Sequence, residues 1–107
     1  MSGIFVAVPA PIGRTNFEGQ ITAIKEFEGV WGSPVYRMKV MVEAPEGCWF
    51  CSVRVPRSLL VEAHRQCGTE GPAGWLMFKR VALSATLVPT RQEHEAHGKR
   101  PTKARFL

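Results

Sequence analysis

Three stretches of this chain alternate apolar and polar side chains with a period of two. Residues 36–42 set Tyr36, Met38, Val40 and Val42 against Arg37, Lys39 and Met41. Residues 49–55 set Trp49, Cys51, Val53 and Val55 against Phe50, Ser52 and Arg54. Residues 81–87 repeat the pattern with Val81, Leu83, Ala85 and Leu87. Successive side chains of a strand point to opposite faces, so each stretch predicts a strand buried on one side. The turn-rich Glu43-Ala-Pro-Glu-Gly47 predicts that the first two form a hairpin. An earlier strand is expected over residues 17–27. A last one is expected over residues 102–107, with Ala104 and Phe106 inward and Lys103 and Arg105 outward.

Gly and Pro recur too closely for long helices, because Pro removes a donor and clashes with the preceding turn. Only residues 57–67 read as helix, starting after Pro56 and ending at Gly68, a residue suited to a helix C-terminus. The order is three strands, one helix, two strands. It predicts a mainly β chain: a five-stranded Greek-key barrel of the OB type with one short helix between strands three and four. Another small barrel of the SH3 type, or a sixth strand over residues 4–8, is the alternative. One domain is expected over residues 1–107: an N-terminal arm or extra strand at 1–14, a loop at 89–98, and a basic last strand at 99–107.

Charge is distributed unevenly along this plan. Residues 1–78 hold as many Glu as Lys and Arg together, so the formal net charge of +5 falls entirely within residues 79–107. Lys79, Arg80, Arg91, Lys99, Arg100, Lys103 and Arg105 stand there against Glu93 and Glu95. A basic end on a neutral body points to an anionic partner, and nucleic acid is the commonest; a solvated tail is the bland alternative. Hydrophobic content of 45% with 21% charged residues reads as globular. No apolar run approaches the roughly 18 residues of a membrane span, and residues 4–8 make no secretory signal. The odd number of cysteines, 3, argues against a full disulfide framework. A soluble cytoplasmic protein is expected.

Several stretches together resemble a group of small OB-like domains of bacteriophage and mobile-element proteins. They are Phe17-Glu-Gly, Gly32 ahead of the 36–42 strand, Trp49 to Pro56 with Ser58-Leu59, the 81–87 strand, and Gly98-Lys-Arg-Pro-Thr-Lys-Ala104. The similarity covers about residues 15–107, and Lys99 to Ala104 is its most specific part. It implies a nucleic-acid-handling context, in the host cytoplasm if the chain is phage-encoded. It assigns no site residues, and the Glu- and His-rich segment 91–97 departs from it.

On an OB barrel the ligand crosses strands two and three, flanked by the loops between strands one and two and between four and five. The outward residues there are Arg37, Lys39, Phe50, Ser52 and Arg54. Cations that track a phosphate backbone beside an aromatic that stacks a base suit single-stranded nucleic acid. Trp31, between Gly29 and Gly32, is expected to be exposed and to add a stacking surface, whereas Trp49 is expected in the core. The candidate site is therefore Trp31, Arg37, Lys39, Phe50, Arg54, Lys99, Arg100, Lys103 and Arg105. The first partner expected is single-stranded DNA or RNA; the alternative is a host protein, docked on the basic face of an accessory or inhibitor protein.

Catalytic and metal chemistry find little to build on. All 9 acidic residues are Glu, which removes most Mg²⁺-dependent phosphoryl-transfer designs, and no Gly-rich phosphate loop occurs. Cys48/Cys51, His64/Cys67 and His94/His97 are spaced like zinc ligands. Cys48 and Cys51, however, lie on a predicted strand, where residues three apart face opposite ways. Cys67, His64 and Glu62 could be written as a nucleophile with its base, but their spacing forces no such geometry. No enzyme activity, metal or cofactor is expected.

Overall fold

The computed structural model describes residues 6–68 and 71–107. Five strands dominate: β1 (Gly13–Glu28), β2 (Pro34–Ala44), β3 (Gly47–Arg54), β4 (Arg80–Pro89) and β5 (Glu95–Phe106). Two helices, α1 (Arg57–Gln66) and α2 (Pro72–Leu76), lie between β3 and β4. The strands close into a ring in the order β1-β2-β3-β5-β4, with β1 bonded to both β2 and β4. All pairings are antiparallel except β3 with β5.

Alternation decides which side chains fill the ring. Tyr36, Met38, Val40 and Val42 from β2, Cys51 and Val53 from β3, and Val81, Leu83, Ala85 and Leu87 from β4 are buried together. Trp49 belongs to this core, edge-on to Phe17 with ring centroids 5.4 Å apart. Helix α1 covers one end of the ring with Leu59 and Ala63, four residues apart and so on one helical face. It stops where the Cys67 N–H donates to the Ala63 carbonyl and Gly68 takes a left-handed φ of 60°.

Four expectations change. The second helix, α2, is new, because five residues carry no helical period; it is held by Pro72 at its start and by the buried Leu76. The first strand starts at Gly13, inside the segment assigned to an arm. The last strand starts at Glu95, so only the first part of the 89–98 segment is a loop. Gly98 makes that early start feasible: a Cβ there would lie 2.9 Å from Cys51 Sγ, so only Gly allows β5 to run so close over β3. Finally, Ala104 and Phe106 are half-buried rather than inside the ring, Phe106 packing edge-on against Trp75 of α2 at 5.2 Å. Of the possible sixth strand at residues 4–8, Ile4 and Phe5 lie outside the described residues. Ala7 makes a single parallel bridge to Cys48.

Two irregularities aim the outer side chains. In β1, Ile21 pairs with Val40 and Ala23 with Lys39, leaving Thr22 as an extra residue whose hydroxyl donates to the Lys39 carbonyl at 3.3 Å. One inserted residue inverts the alternation, so Lys25 and Phe27 face outward where an unbroken strand would turn them in. In β5 two bulges follow one another, since β4 advances by two residues and β5 by three between Thr86/Lys99 and Ser84/Thr102, and again to Ala82/Arg105. They place Arg100 and Lys103 at φ of 54° and 53°, left-handed conformations that a side chain resists.

Candidate functional site

Outward residues of neighbouring strands stand in cross-strand rows. One row runs Lys25–Arg37–Arg54, through the pairs Lys25 with Arg37 and Arg37 with Arg54. The next runs Ala23–Lys39–Ser52–His97, and a third Met41–Phe50–Glu95. Lys25, Phe27, Arg37, Lys39, Ser52 and His97 border a groove of about 290 Å³ on this front wall of the ring. Like charges directly opposite one another weaken a sheet by a few tenths to about 1 kcal/mol per pair. Among the described residues none of Lys25, Arg37 and Arg54 is ion-paired. Arg37 does donate one N–H to the Ser52 carbonyl, at 3.1 Å.

Lys39 behaves differently from its neighbours. Its ammonium meets Glu95 at 3.3 Å and sits 5.8 Å over the Phe50 ring, so its charge is largely answered within the protein. Phe50 in turn meets the His94 ring edge-on at 6.1 Å. The aromatic set beside the cations is thus Phe27, which is 47% exposed, the half-buried Phe50, and His94 and His97 from the start of β5 and the loop before it.

The predicted site residues divide into three groups. Arg37, Lys39, Phe50 and Arg54 come together on the front wall. Trp31 stands apart, at the tip of the β1–β2 hairpin in a one-turn 3-10 helix (Val30–Gly32); it is 96% exposed with φ at 70°. Lys99, Arg100, Lys103 and Arg105 leave the front wall altogether. They project from the back wall made by the first half of β1, by β4 and by the second half of β5, and the strand order puts β4 across the ring from β2 and β3. There Lys103 and Arg105 flank a second, shallower groove of about 400 Å³ with Asn16 and Glu18 opposite and Ala82 and Ser84 between. The Arg14 guanidinium braces this wall, donating to the Arg100 carbonyl at 2.8 Å and to the hydroxyls of Thr86 and Thr102.

Sequence reasoning missed Lys25, Phe27, Arg14 and His97. The first two were hidden by the Thr22 bulge, and Arg14 and His97 by their assignment to an arm and a loop. Lys25 and Phe27, a basic and an aromatic residue two positions apart, were the signal for the first pair.

The cysteine and histidine pairs do not converge. Cys51 faces the core, and burial pushes its thiol up to about 12 despite the opposing influence of the Arg37 charge. Cys48 faces the other way, covered by the chain at Val6 and Ala7. Among the described residues no three His, Cys or Glu side chains gather as a metal site would require. Comparison with family models, with curated proteins and with solved structures finds no match to this chain.

Proposed function

We propose that this chain is a non-enzymatic barrel of the OB type that binds single-stranded nucleic acid across its front wall with little sequence preference. The observation that carries the reading is the row Lys25–Arg37–Arg54. Three like charges held side by side without acidic partners, at a cost to the sheet, are what a phosphate backbone would neutralise. Phe27 and Phe50 beside them offer faces on which bases can stack, a contact every base can make. The strand order, the parallel β3–β5 pair and the helices between β3 and β4 support the OB assignment. In OB barrels the wall of strands two and three is where oligonucleotides lie.

Titrating a labelled oligothymidylate at low salt and following its anisotropy tests the proposal. Binding that weakens linearly in log–log terms as salt is added supports it. No binding up to about 100 μM protein, weaker than a useful interaction, overturns it.

One observation favours a second reading. Trp31 is almost wholly exposed, strained, and separate from the groove, with Val30 beside it 78% exposed. Tryptophan is a frequent anchor of protein–protein interfaces, so this tip suits docking on a host protein by an accessory or inhibitor protein. Loss of partner capture on Trp31→Ala, with oligonucleotide binding unchanged, is the result that reading requires.

A further inference from the structure

The cross-strand row on the front wall does not stop at β3. The parallel pairing of β3 with β5 runs to Val53 opposite Gly98, and the next residues on the two strands are Arg54 and Lys99. Val53 and Gly98 are buried, so by alternation Arg54 and Lys99 both turn outward, and both are exposed. Lys99 pairs with Thr86 on β4, and Thr86 pairs with Arg14 on β1. The sequence of outward residues around the ring is therefore Lys25, Arg37, Arg54, Lys99, Thr86, Arg14. Five cations and one hydroxyl form a belt that crosses every strand, with no acidic residue in the row.

Three further observations join the front and back parts of this belt. Where β3 and β5 part, beyond Arg54, a cleft of about 520 Å³ opens, bordered by Arg54, Arg57, His64 and Pro101. Pro101 follows Arg100 in the first β5 bulge, so the cleft leads from the front wall directly to the basic back wall. Arg14 closes the belt by holding that bulge through the Arg100 carbonyl. Among the described residues none of the belt cations is ion-paired, and Glu95 on the front wall is bound to Lys39.

We infer that a single nucleic-acid strand is bound along this belt. It runs from the front groove past Arg54, through the cleft, and over β5 to Arg14, not in the front groove alone. Neighbouring strands are about 4.8 Å apart, so five steps around the ring give a track of about 24 Å at the backbone, longer at the side-chain tips. A strand shorter than the front groove gains nothing from the back wall; a long one reaches all five cations. The inference rests on the proposed function, and makes the protein a wrapping binder in which the front wall stacks bases and the back wall holds phosphates.

Oligothymidylates of about 6 and about 20 nucleotides, spanning the site sizes of single OB folds, separate the possibilities. Removing one cation that neutralises a phosphate of a single strand lowers the slope of log affinity against log salt by about 0.7. Arg14→Gln with Lys99→Gln should lower the slope for the longer strand by about 1.4 and leave the shorter one unchanged. Lys99→Gln alone should lower it by about 0.7, which covers the case in which losing Arg14 disturbs the bulge. Arg65→Gln, the same change of charge as Lys99→Gln but on helix α1 away from the belt, should alter neither. A slope for the longer strand that is unchanged in both belt variants overturns the wrapping, as does a complex with two long strands per protein. If the unaltered protein binds neither length, the proposed function itself fails.

Discussion

The front and back walls of the ring carry cations in comparable number but surround them differently. On the front, Lys25, Arg37 and Arg54 stand on regularly paired stretches, beyond the single Thr22 bulge of β1, beside Phe27, Phe50 and two histidines. On the back, Lys99, Arg100, Lys103 and Arg105 stand on a strand broken by two bulges, and the outward positions of β4 hold only Arg80, Ala82, Ser84, Thr86 and Val88. A guanidinium or ammonium answers a phosphate equally well on either wall. Only an aromatic face can take up a base, so under the proposed function the two walls divide the recognition of one ligand between them. The walls also differ in the kind of strain they hold. The front carries electrostatic repulsion within a row, whereas the back carries left-handed backbone at Arg100 and Lys103.

Both walls rest on one core, and the largest effect expected tests that. Met38 behind the front wall and Leu83 behind the back wall are 1% and 3% exposed. Replacing either by Ala should cost about 2–5 kcal/mol in urea unfolding, in a single transition. If one is tolerated and the other is not, the walls belong to separately stable halves.

Phe106→Ala should follow, at about 2 kcal/mol, below the range for a fully buried ring because Phe106 is half-exposed and rests on Trp75. Normal melting would mean that the end of β5, and with it the back wall, is not fastened to the helices.

Stacking separates the walls directly. Phe27→Ala and Phe50→Ala should each weaken single-strand binding by about 1–3 kcal/mol while leaving the salt slope in place. Loss of slope without loss of intercept would show that the aromatics do not touch bases. Last and smallest, Arg37→Gln should stabilise the free protein by up to about 1 kcal/mol, since it relieves repulsion with both Lys25 and Arg54, yet weaken binding. A destabilised Arg37→Gln would mean that its hydrogen bond to Ser52 outweighs the repulsion.

Much of the fold was legible from period two alone. The inward sets of β2, β3 and β4 follow from alternation because each strand has one wet and one dry side, and Pro56 with Gly68 bounded α1 because their backbone chemistry is local. Arg37, Lys39, Phe50 and Arg54 were legible as outward residues of one wall for the same reason. Phe27 and Lys25 were not, because one inserted residue, Thr22, reverses the phase and nothing local marks it. What no stretch of sequence could decide was which outward residue stands beside which. Lys25, Arg37, Arg54, Lys99 and Arg14 are scattered along the chain, and they become a row only when five strands pair in one register. Register is set by long-range hydrogen bonds, by the bulges, and by the room that Gly98 leaves over Cys51. A charge pattern read along the chain therefore saw a basic end, and the closed ring turned that end into part of a belt.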